Sequence, residues 1–364
     1  MNITIIAGAR PNFMKISPII KEIQKRISSG LGISYQLVHT GQHYDKSMSK
    51  SFFDDLKIPY PTVNLNAGGG TQAEQTAAIM IGFERYLTTV STDLVLVVGD
   101  VTSTLACSIV AKKAGIKVAH VEGGIRSGDL LMPEEINRIV TDSISDYYFT
   151  TSKAAGDNLL RLGASKENIC FVGNTMIDTL IANIERLKEP RFFKEFELCN
   201  GRYFVLTMHR PSNVDQENSL IETLDQISEN SDGLPVIFPV HPRTEKILGG
   251  ISLNEQIIKC VAPLGYLEFN YLVKHSAGVI TDSGGITEET TYMGIPCLTL
   301  RDNTERPETI TVGTNELVGT DPKEIPPYLQ RLLNGNWKKG EVPELWDGKA
   351  SERILDYLIE KFIS

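Results

Sequence analysis

Short apolar runs alternate with helix-length amphipathic segments along the chain. The runs Ile3–Ile6, Tyr35–His39, Leu94–Val98, Lys117–Val121 and Ile169–Val172 fall in the first half. Tyr203–Thr207, Val236–Val240, Gln256–Val261, Gly278–Thr281 and Pro296–Leu300 fall in the second. Most are continuously apolar rather than alternating, which predicts parallel strands covered on both faces. Between them a spacing of three and four predicts helices. One spans Ser17–Ile27, with Ile16, Ile19, Ile20, Ile23 and Ile27 on one face. Another spans Pro133–Ser145, with Ile136, Ile139, Val140 and Ile144 as its core face. Repeated β–α units predict an α/β fold of doubly wound parallel sheets.

The pattern pauses between about residues 181 and 202, a charged stretch containing Glu189-Pro190-Arg191, and a fresh β–α series starts at Tyr203. A boundary in the region Asn174–Lys188 follows, drawn at 174/175, with a first domain over 1–174 and a second over 175–349. A length of 364 residues agrees with two domains. A polar segment over 334–349 precedes a last helix, Ser351–Phe362. No repeat of fixed period stands out.

Composition narrows the function classes. The chain is 41% hydrophobic and 22% charged, ordinary for a globular protein and unlike a disordered one. A net charge of −9 without a basic run argues against nucleic acid or an anionic membrane as partner. No apolar run approaches the roughly 20 residues that span a bilayer. The start, Met1 to Pro11, lacks a basic segment before an apolar stretch and reads as a strand, not a secretory signal. Five scattered cysteines with no CxxC fit a reducing cytoplasm and neither a disulfide framework nor a zinc knuckle.

Six segments could carry chemistry. Gly8-Ala9-Arg10-Pro11 follows the first strand, with Lys15 a turn later; glycine, a helix start and two cations suit an anion, or form an ordinary βα turn with solvated bases. It is neither GxGxxG nor a Walker loop, so neither NAD nor ATP is implied. Asp100 follows Leu94–Val98 and either faces a crevice at the strand ends or, with Thr102, caps the next helix. Glu122, in His120-Val121-Glu122-Gly123-Gly124, either faces the same crevice or pairs with Arg126, and the two glycines predict a close backbone approach. Glu134 and Glu135 open a helix whose dipole already favours carboxylates there. Carboxylates in different settings beside one crevice are what split acid and base roles require. His209, in Met208-His209-Arg210-Pro211, mirrors Arg10 and either shuttles a proton, donates to a phosphate or is structural. Thr281-Asp282-Ser283-Gly284-Gly285 runs from strand to helix as a backbone cradle for a phosphate. Glu289 lies about a turn further, placed for ribose hydroxyls, and Arg301 and Arg306 add cations.

Taken together, His-Val-Glu, Pro-Glu-Glu-Ile-Asn-Arg, Asp-Ser-Gly-Gly and Thr-Glu-Arg-Pro-Glu, in this order from Gly8 to Gly319, resemble the non-hydrolysing UDP-N-acetylglucosamine 2-epimerases. The resemblance implies a GT-B type architecture: two Rossmann-like domains with a cleft between them, the first completed by the C-terminal helix over 350–364. It implies a UDP-N-acetylhexosamine substrate, a homodimer, and no cofactor or metal. The implied reaction inverts C2 reversibly between UDP-N-acetylglucosamine and UDP-N-acetylmannosamine. UDP is eliminated and re-added through a 2-acetamidoglucal, supplying precursors of cell-surface polysaccharide. By match to the family's motifs, Asp100, Glu122, Glu134 and His209 are catalytic. Arg10, Lys15, Phe269, Ser283, Gly284, Gly285, Glu289 and Arg306 match substrate-binding positions, with Pro263–Phe269 as the uracil-side loop. Related readings are a 2-epimerase of another UDP-2-acetamido sugar, or a hydrolysing enzyme that releases N-acetylmannosamine and UDP. The chain departs from relatives at Gly123, where many have alanine, and at Leu264, where some have glutamine. It also departs at Asp45 and Gly69, which replace a glutamine and an arginine of an allosteric site in bacterial members.

Overall fold

Strands β1 (Asn2–Ala7) and β4 (Leu94–Val98) are buried along nearly their whole length, so neither shows an in–out alternation. Both lie at the centre of a seven-stranded sheet. It also contains β2 (Ser34–His39), β3 (Val63–Asn64), β5 (Lys117–Val121), β6 (Tyr147–Thr150) and β7 (Ile169–Phe171). Its order is β3-β2-β1-β4-β5-β6-β7 and every pairing is parallel. The computed structural model describes residues 1–42, 53, 55–214, 217–240, 244, 247–249 and 253–363. Asp45 lies outside them.

A second, six-stranded sheet contains β8 (Phe204–Thr207), β9 (Val236–Pro239), β10 (Ile258–Val261), β11 (Gly278–Thr281), β12 (Cys297–Thr299) and β13 (Asn315–Leu317). Its order is β10-β9-β8-β11-β12-β13, again all parallel. Successive residues of these strands enter cores on opposite faces. Phe204, Leu206, Val236, Phe238, Ile280 and Leu298 join one cluster. Tyr203, Val205, Ile237, Val279 and Cys297 join the other. Each such fully buried aliphatic side chain contributes about 2 kcal/mol, which is why the strands read as unbroken apolar runs. The expected fold class holds: two Rossmann-like, doubly wound parallel sheets, the pair of domains that makes up a GT-B type chain. No fixed-period sequence repeat announces it, yet both sheets follow the same winding order.

The contacts divide the chain into Met1–Ala182 with Glu344–Ser364, and Asn183–Pro343. The boundary drawn at 174/175 falls at the start of the Thr175–Asn183 helix. Most of that helix goes with the first unit, because Met176, Ile177 and Leu180 are buried and Asp178 tethers the last helix, Ala350–Phe362. The Asp178 carboxylate accepts from the amides of Ala350 and Ser351 at 3.1 and 2.7 Å and from the Ser351 hydroxyl at 2.7 Å. Two of that helix's otherwise unsatisfied amides are thereby satisfied. Burial still pushes the Asp178 carboxyl up, against those hydrogen bonds.

Two helices differ from their sequence patterns. The first begins at Arg10, not Ser17, and runs to Ser28 with Pro18 inside it. Pro11 opens it, and Phe13 and Ile16 already belong to its buried face. The second difference is an inversion. In the Pro133–Ile144 helix the buried residues are Glu135, Asn137, Arg138, Thr141 and Asp142. Ile136, expected in the core, is 49% exposed, and Ile139, Val140 and Ile144 are half-buried. The polar face turns inward because it covers two charged strand-end loops. Among the described residues no helix is long and apolar enough to cross a membrane.

Candidate active site

In each sheet the first strand lies between the second and the fourth, so the chain winds away on opposite sides of the β1/β4 and β8/β11 gaps. Ligands of open parallel sheets gather outside the carboxyl ends at such a switch point. The singled-out motifs follow these strands or their neighbours.

In the first domain, Asn12 binds the loop after β1 to the end of β4. Its side-chain oxygen accepts from the amides of Gly8 and Ala9 at 3.1 and 3.0 Å, and its amide donates to the Val98 carbonyl at 3.1 Å. Gly8 is required by packing: a Cβ there would lie 2.0 Å from the Ser103 hydroxyl. Arg10 is half-buried at the helix start. Lys15 places its Nζ 2.8 Å from Glu122 Oε2, with its side chain 12% exposed and that of Glu122 2% exposed. Arg126 does not take Glu122 but turns to Asp142 at 2.6 Å.

Glu122 has φ +67°, the left-handed region that non-glycine residues rarely occupy. Such backbone costs of order 1–3 kcal/mol, persists only where the surroundings hold it, and concentrates at functional sites. The two glycines after it serve the scaffold. A Cβ on Gly124 would strike the Ala155 carbonyl at 2.1 Å, and one on Gly123 would crowd Asp142 and Tyr148 at 3.3 Å. The predicted close approach is therefore to protein.

The Thr102–Lys113 helix has Val101, not Asp100, at its N-cap position. Asp100 Oδ2 instead meets Arg138 Nη2 at 2.5 Å and Nε at 3.0 Å, and its carbonyl accepts from Asn137 at 2.8 Å. Arg138 also binds Glu135 at 2.7 Å, which takes the amides of Ser127 and Gly128 at 2.9 and 3.1 Å. Burial pushes the Glu135 carboxyl up, but those amides and the guanidinium outweigh it and hold it below the usual range. Asp100 and Glu122 thus follow adjacent strands that pair in register, Val98 with Val121. A Cβ on Gly99 would sit 3.2 Å from Lys15 Nζ and 3.9 Å from Glu122 Oε2. Glu134 is exposed at the helix start, one residue before the buried Glu135. Sequence reasoning gave no role to Asn12, His120, Asn137, Arg138 or Asp142. The only signal for the first four was their place inside the same motifs; Asp142 lies a turn beyond one of them.

In the second domain, His209 and the cradle meet at Asp282. The His209 Nδ1 lies 2.8 Å from Asp282 Oδ1, with the ring 57% exposed and the carboxylate fully buried. Asp282 Oδ2 accepts from the amides of His209 and Arg210 at 2.9 and 2.8 Å and from Asn213 at 3.2 Å. Burial pushes Asp282 up, but His209 and these donors outweigh it and hold it low. The ring thus stands largely exposed beside a buried carboxylate. The Gly284–Met293 helix opens at Ser283, whose side chain makes no capping bond, and no acid sits in its first turn. Ser283, Gly284 and Gly285 are half-exposed. This helix start presents amide donors and a partial positive charge to an anion.

The cations expected nearby are paired. Arg301 binds Glu305 at 2.7 and 2.8 Å, and Arg306 binds Glu288. Glu289 is buried and accepts from Asn270 at 3.3 Å. Tyr266 is pushed well above its usual range by burial and the Glu289 carboxylate. Phe269 stands on a helix, Tyr266–His275, not a loop, and packs half-buried on the core. Among the described residues no group of three His, Cys, Asp or Glu side chains could hold a metal ion.

The sequence profile described as UDP-N-acetylglucosamine 2-epimerase matches residues 25–359. A UDP-N-acetylglucosamine 2-epimerase of Methanocaldococcus jannaschii is 42% identical, covering 98% of this chain and 99% of the relative. The crystal structure of the M. jannaschii UDP-GlcNAc 2-epimerase, in complex with UDP-GlcNAc and UDP, matches with a TM-score of 0.87 at 41% identity. That match covers 99% of this chain and 100% of the other. A UDP-2,3-diacetamido-2,3-dideoxy-D-glucuronate 2-epimerase of Pseudomonas aeruginosa is 37% identical over 98% of this chain and 99% of its own length.

Proposed function

The chain belongs to the UDP-N-acetylglucosamine 2-epimerase family, and on that premise we propose that it interconverts UDP-N-acetylglucosamine and UDP-N-acetylmannosamine without releasing free sugar. The observation that carries this reading is the pair Asp100 and Glu122, at the ends of adjacent strands, each held beside a cation, Arg138 and Lys15. The C2 proton is weakly acidic, so its removal must be coupled to departure of UDP from C1. One carboxylate takes the proton while the C1–oxygen bond breaks, leaving 2-acetamidoglucal and UDP. UDP then returns to C1 as a second acid protonates C2 from the opposite face. We assign these proton transfers to Asp100, Glu122 and Glu134.

In this reading the Ser283-Gly284-Gly285 helix start and Nε2 of His209 receive the diphosphate and stabilise the charge that develops as it leaves. Arg10, Lys15 and Arg306 add positive charge, although Lys15 and Arg306 must share it with Glu122 and Glu288. Phe269 and Glu289 bind the nucleoside. The reaction moves one proton and one leaving group with no net redox change, so no nicotinamide and no metal is required. Dialysis against EDTA should leave the rate unchanged. We further assign the enzyme to the cytoplasm, where its product supplies polysaccharide precursors, and propose a homodimer. The exposed Ile81, Leu130, Leu131 and Ile136 of the first domain support the dimer.

The test is incubation with UDP-N-acetylglucosamine in heavy water. Deuterium should enter C2 of both epimers while the UDP linkage is kept. Release of N-acetylmannosamine with UDP would point to the hydrolysing reaction. The 37% identical relative supports a second reading, a UDP-diacetamido-uronate substrate. Turnover of that sugar alone would favour it.

A further inference from the structure

We infer that His120 is held as an imidazolium and acts as a positioning residue, joining the loops that carry Asp100 and Glu122 through one buried carboxylate, Asp142. The inference rests on the proposed role of Asp100 and Glu122 in proton transfer. The ring is fully buried, with Nδ1 2.7 Å from Asp142 Oδ1 and Nε2 2.8 Å from the Gly99 carbonyl oxygen. A carbonyl oxygen has no proton to give, so Nε2 must donate. Asp142 accepts on its other oxygen from Arg126 at 2.6 Å and from the Gly124 amide at 3.0 Å. A carboxylate in contact with a guanidinium and an amide is ionised, so Nδ1 must donate as well. Two donating nitrogens define the cation.

The neighbours agree. Burial pushes the Asp142 carboxyl up, but the His120 ring and Arg126 outweigh it and hold it below the usual range. The titratable and charged groups facing this cluster are Asp142 from the Pro133–Ile144 helix, Arg126 from the loop between β5 and that helix, and Tyr148 from β6. The Tyr148 hydroxyl donates to the Asp142 carbonyl at 2.7 Å. Glu122, two residues on, is occupied by Lys15. The Nε2 bond fixes the carbonyl of the residue immediately before Asp100. The Gly124 amide fixes the loop immediately after Glu122. One ring and one carboxylate therefore set the spacing of both groups. Without the second ring proton, a lone pair would face one of the two acceptors and that tie would open.

The test uses the full chain labelled with 15N-histidine. The ring correlations of the six histidines are recorded at neutral pH, with His120 identified by its loss in His120→Gln. Both His120 nitrogens should carry protons; an unprotonated nitrogen overturns the inference. Glutamine keeps one of the two donated bonds and leucine neither. Turnover of His120→Gln should fall about 10–10²-fold, the size of effect expected from small misplacement of reacting groups, and His120→Leu should fall further. In both variants UDP affinity by calorimetry should change less than two-fold. Equal turnover in the two variants would mean that the ring only fills space, and would overturn the positioning role. If the variants fail to fold, the wild-type spectrum alone decides. A doubly protonated His120 in a protein that epimerises no UDP-acetamido sugar would leave the charge assignment standing and remove the proposed function instead.

Discussion

At the scale of single residues, the three carboxylates assigned to proton transfer have different surroundings and should not respond alike. Asp100→Asn and Glu122→Gln keep shape and remove basicity, and each should slow turnover about 10²–10⁴-fold while UDP affinity by calorimetry changes little. Glu134 is exposed at a helix start where the dipole alone accounts for an acid. If Glu134→Gln lowers stability and spares the rate, it is a helix-start charge and not a catalyst. Glu122 offers a sharper test through its backbone. Its φ of +67° strains any residue with a Cβ. Glu122→Gly and Glu122→Ala both lose the ion pair with Lys15, so their difference isolates the backbone. The glycine variant should be more stable by about 1 kcal/mol in urea unfolding, and both should be inactive. Equal midpoints would show that the loop relaxes. The residue types were legible in sequence because Asp100, Glu122 and His209 each follow an apolar strand. Their partners were not. Lys15 and Glu122 are 107 positions apart, and nothing in either segment favours Lys15 over the nearby Arg126.

At the scale of elements, the strands were legible and one helix was not. Runs such as Leu94–Val98 need burial on both faces, and only a covered parallel sheet supplies it. Three strands escaped: the edge strands β3 and β13, whose two or three residues carry no period, and the internal strand β6, a four-residue run directly after a helix. The Pro133–Ile144 helix misled because periodicity reports which side chains share a face, not which face is buried. Its isoleucines share one face, but Glu135, Arg138 and Asp142 lie along the other and satisfy two loops that no apolar face could. Buried charge without such partners costs several kcal/mol, and here that outweighs burying the isoleucines. The cradle helix gives a prediction of its own. A Cβ at Gly284 has room, its nearest atoms being Glu305 Oε2 at 3.9 Å and Arg301 Nη1 at 4.0 Å. Gly284→Asp should therefore fold, yet place a carboxylate at the helix start. UDP binding by calorimetry should fall below detection with the melting temperature nearly unchanged. Unaltered affinity would remove this helix start from the diphosphate site.

At the scale of the whole molecule, acid should loosen the first domain. His39 ends β2, buried, with its Nδ1 accepting from the Gly41 amide at 2.7 Å. Burial pulls its pKa from 6.5 to about 4. An unfolded chain takes up this proton near 6.5 and the folded one resists it until about 4. The contribution of His39 is therefore complete above pH 6.5 and is lost as pH falls towards 4. Asp142, held low, adds loss in the same direction at still lower pH. Melting temperatures should decline across the upper window, and His39→Gln, which can still accept from Gly41, should flatten that part of the slope. The discontinuous first unit bears on how the chain is made. Its last piece, Glu344–Ser364, leaves the ribosome only after the entire second unit, Asn183–Pro343. Until then Asp178 waits, its three donors on Ala350 and Ser351 not yet synthesised. A chain stopped after Pro343 should keep the thermal transition of the second unit and lose or lower that of the first, whereas Asp178→Ala in the full chain should cost about 1 kcal/mol. Unit two can thus be finished while unit one is still provisional, so a message cut after the Pro343 codon would yield a protein with one completed sheet and one still waiting for its closing helix.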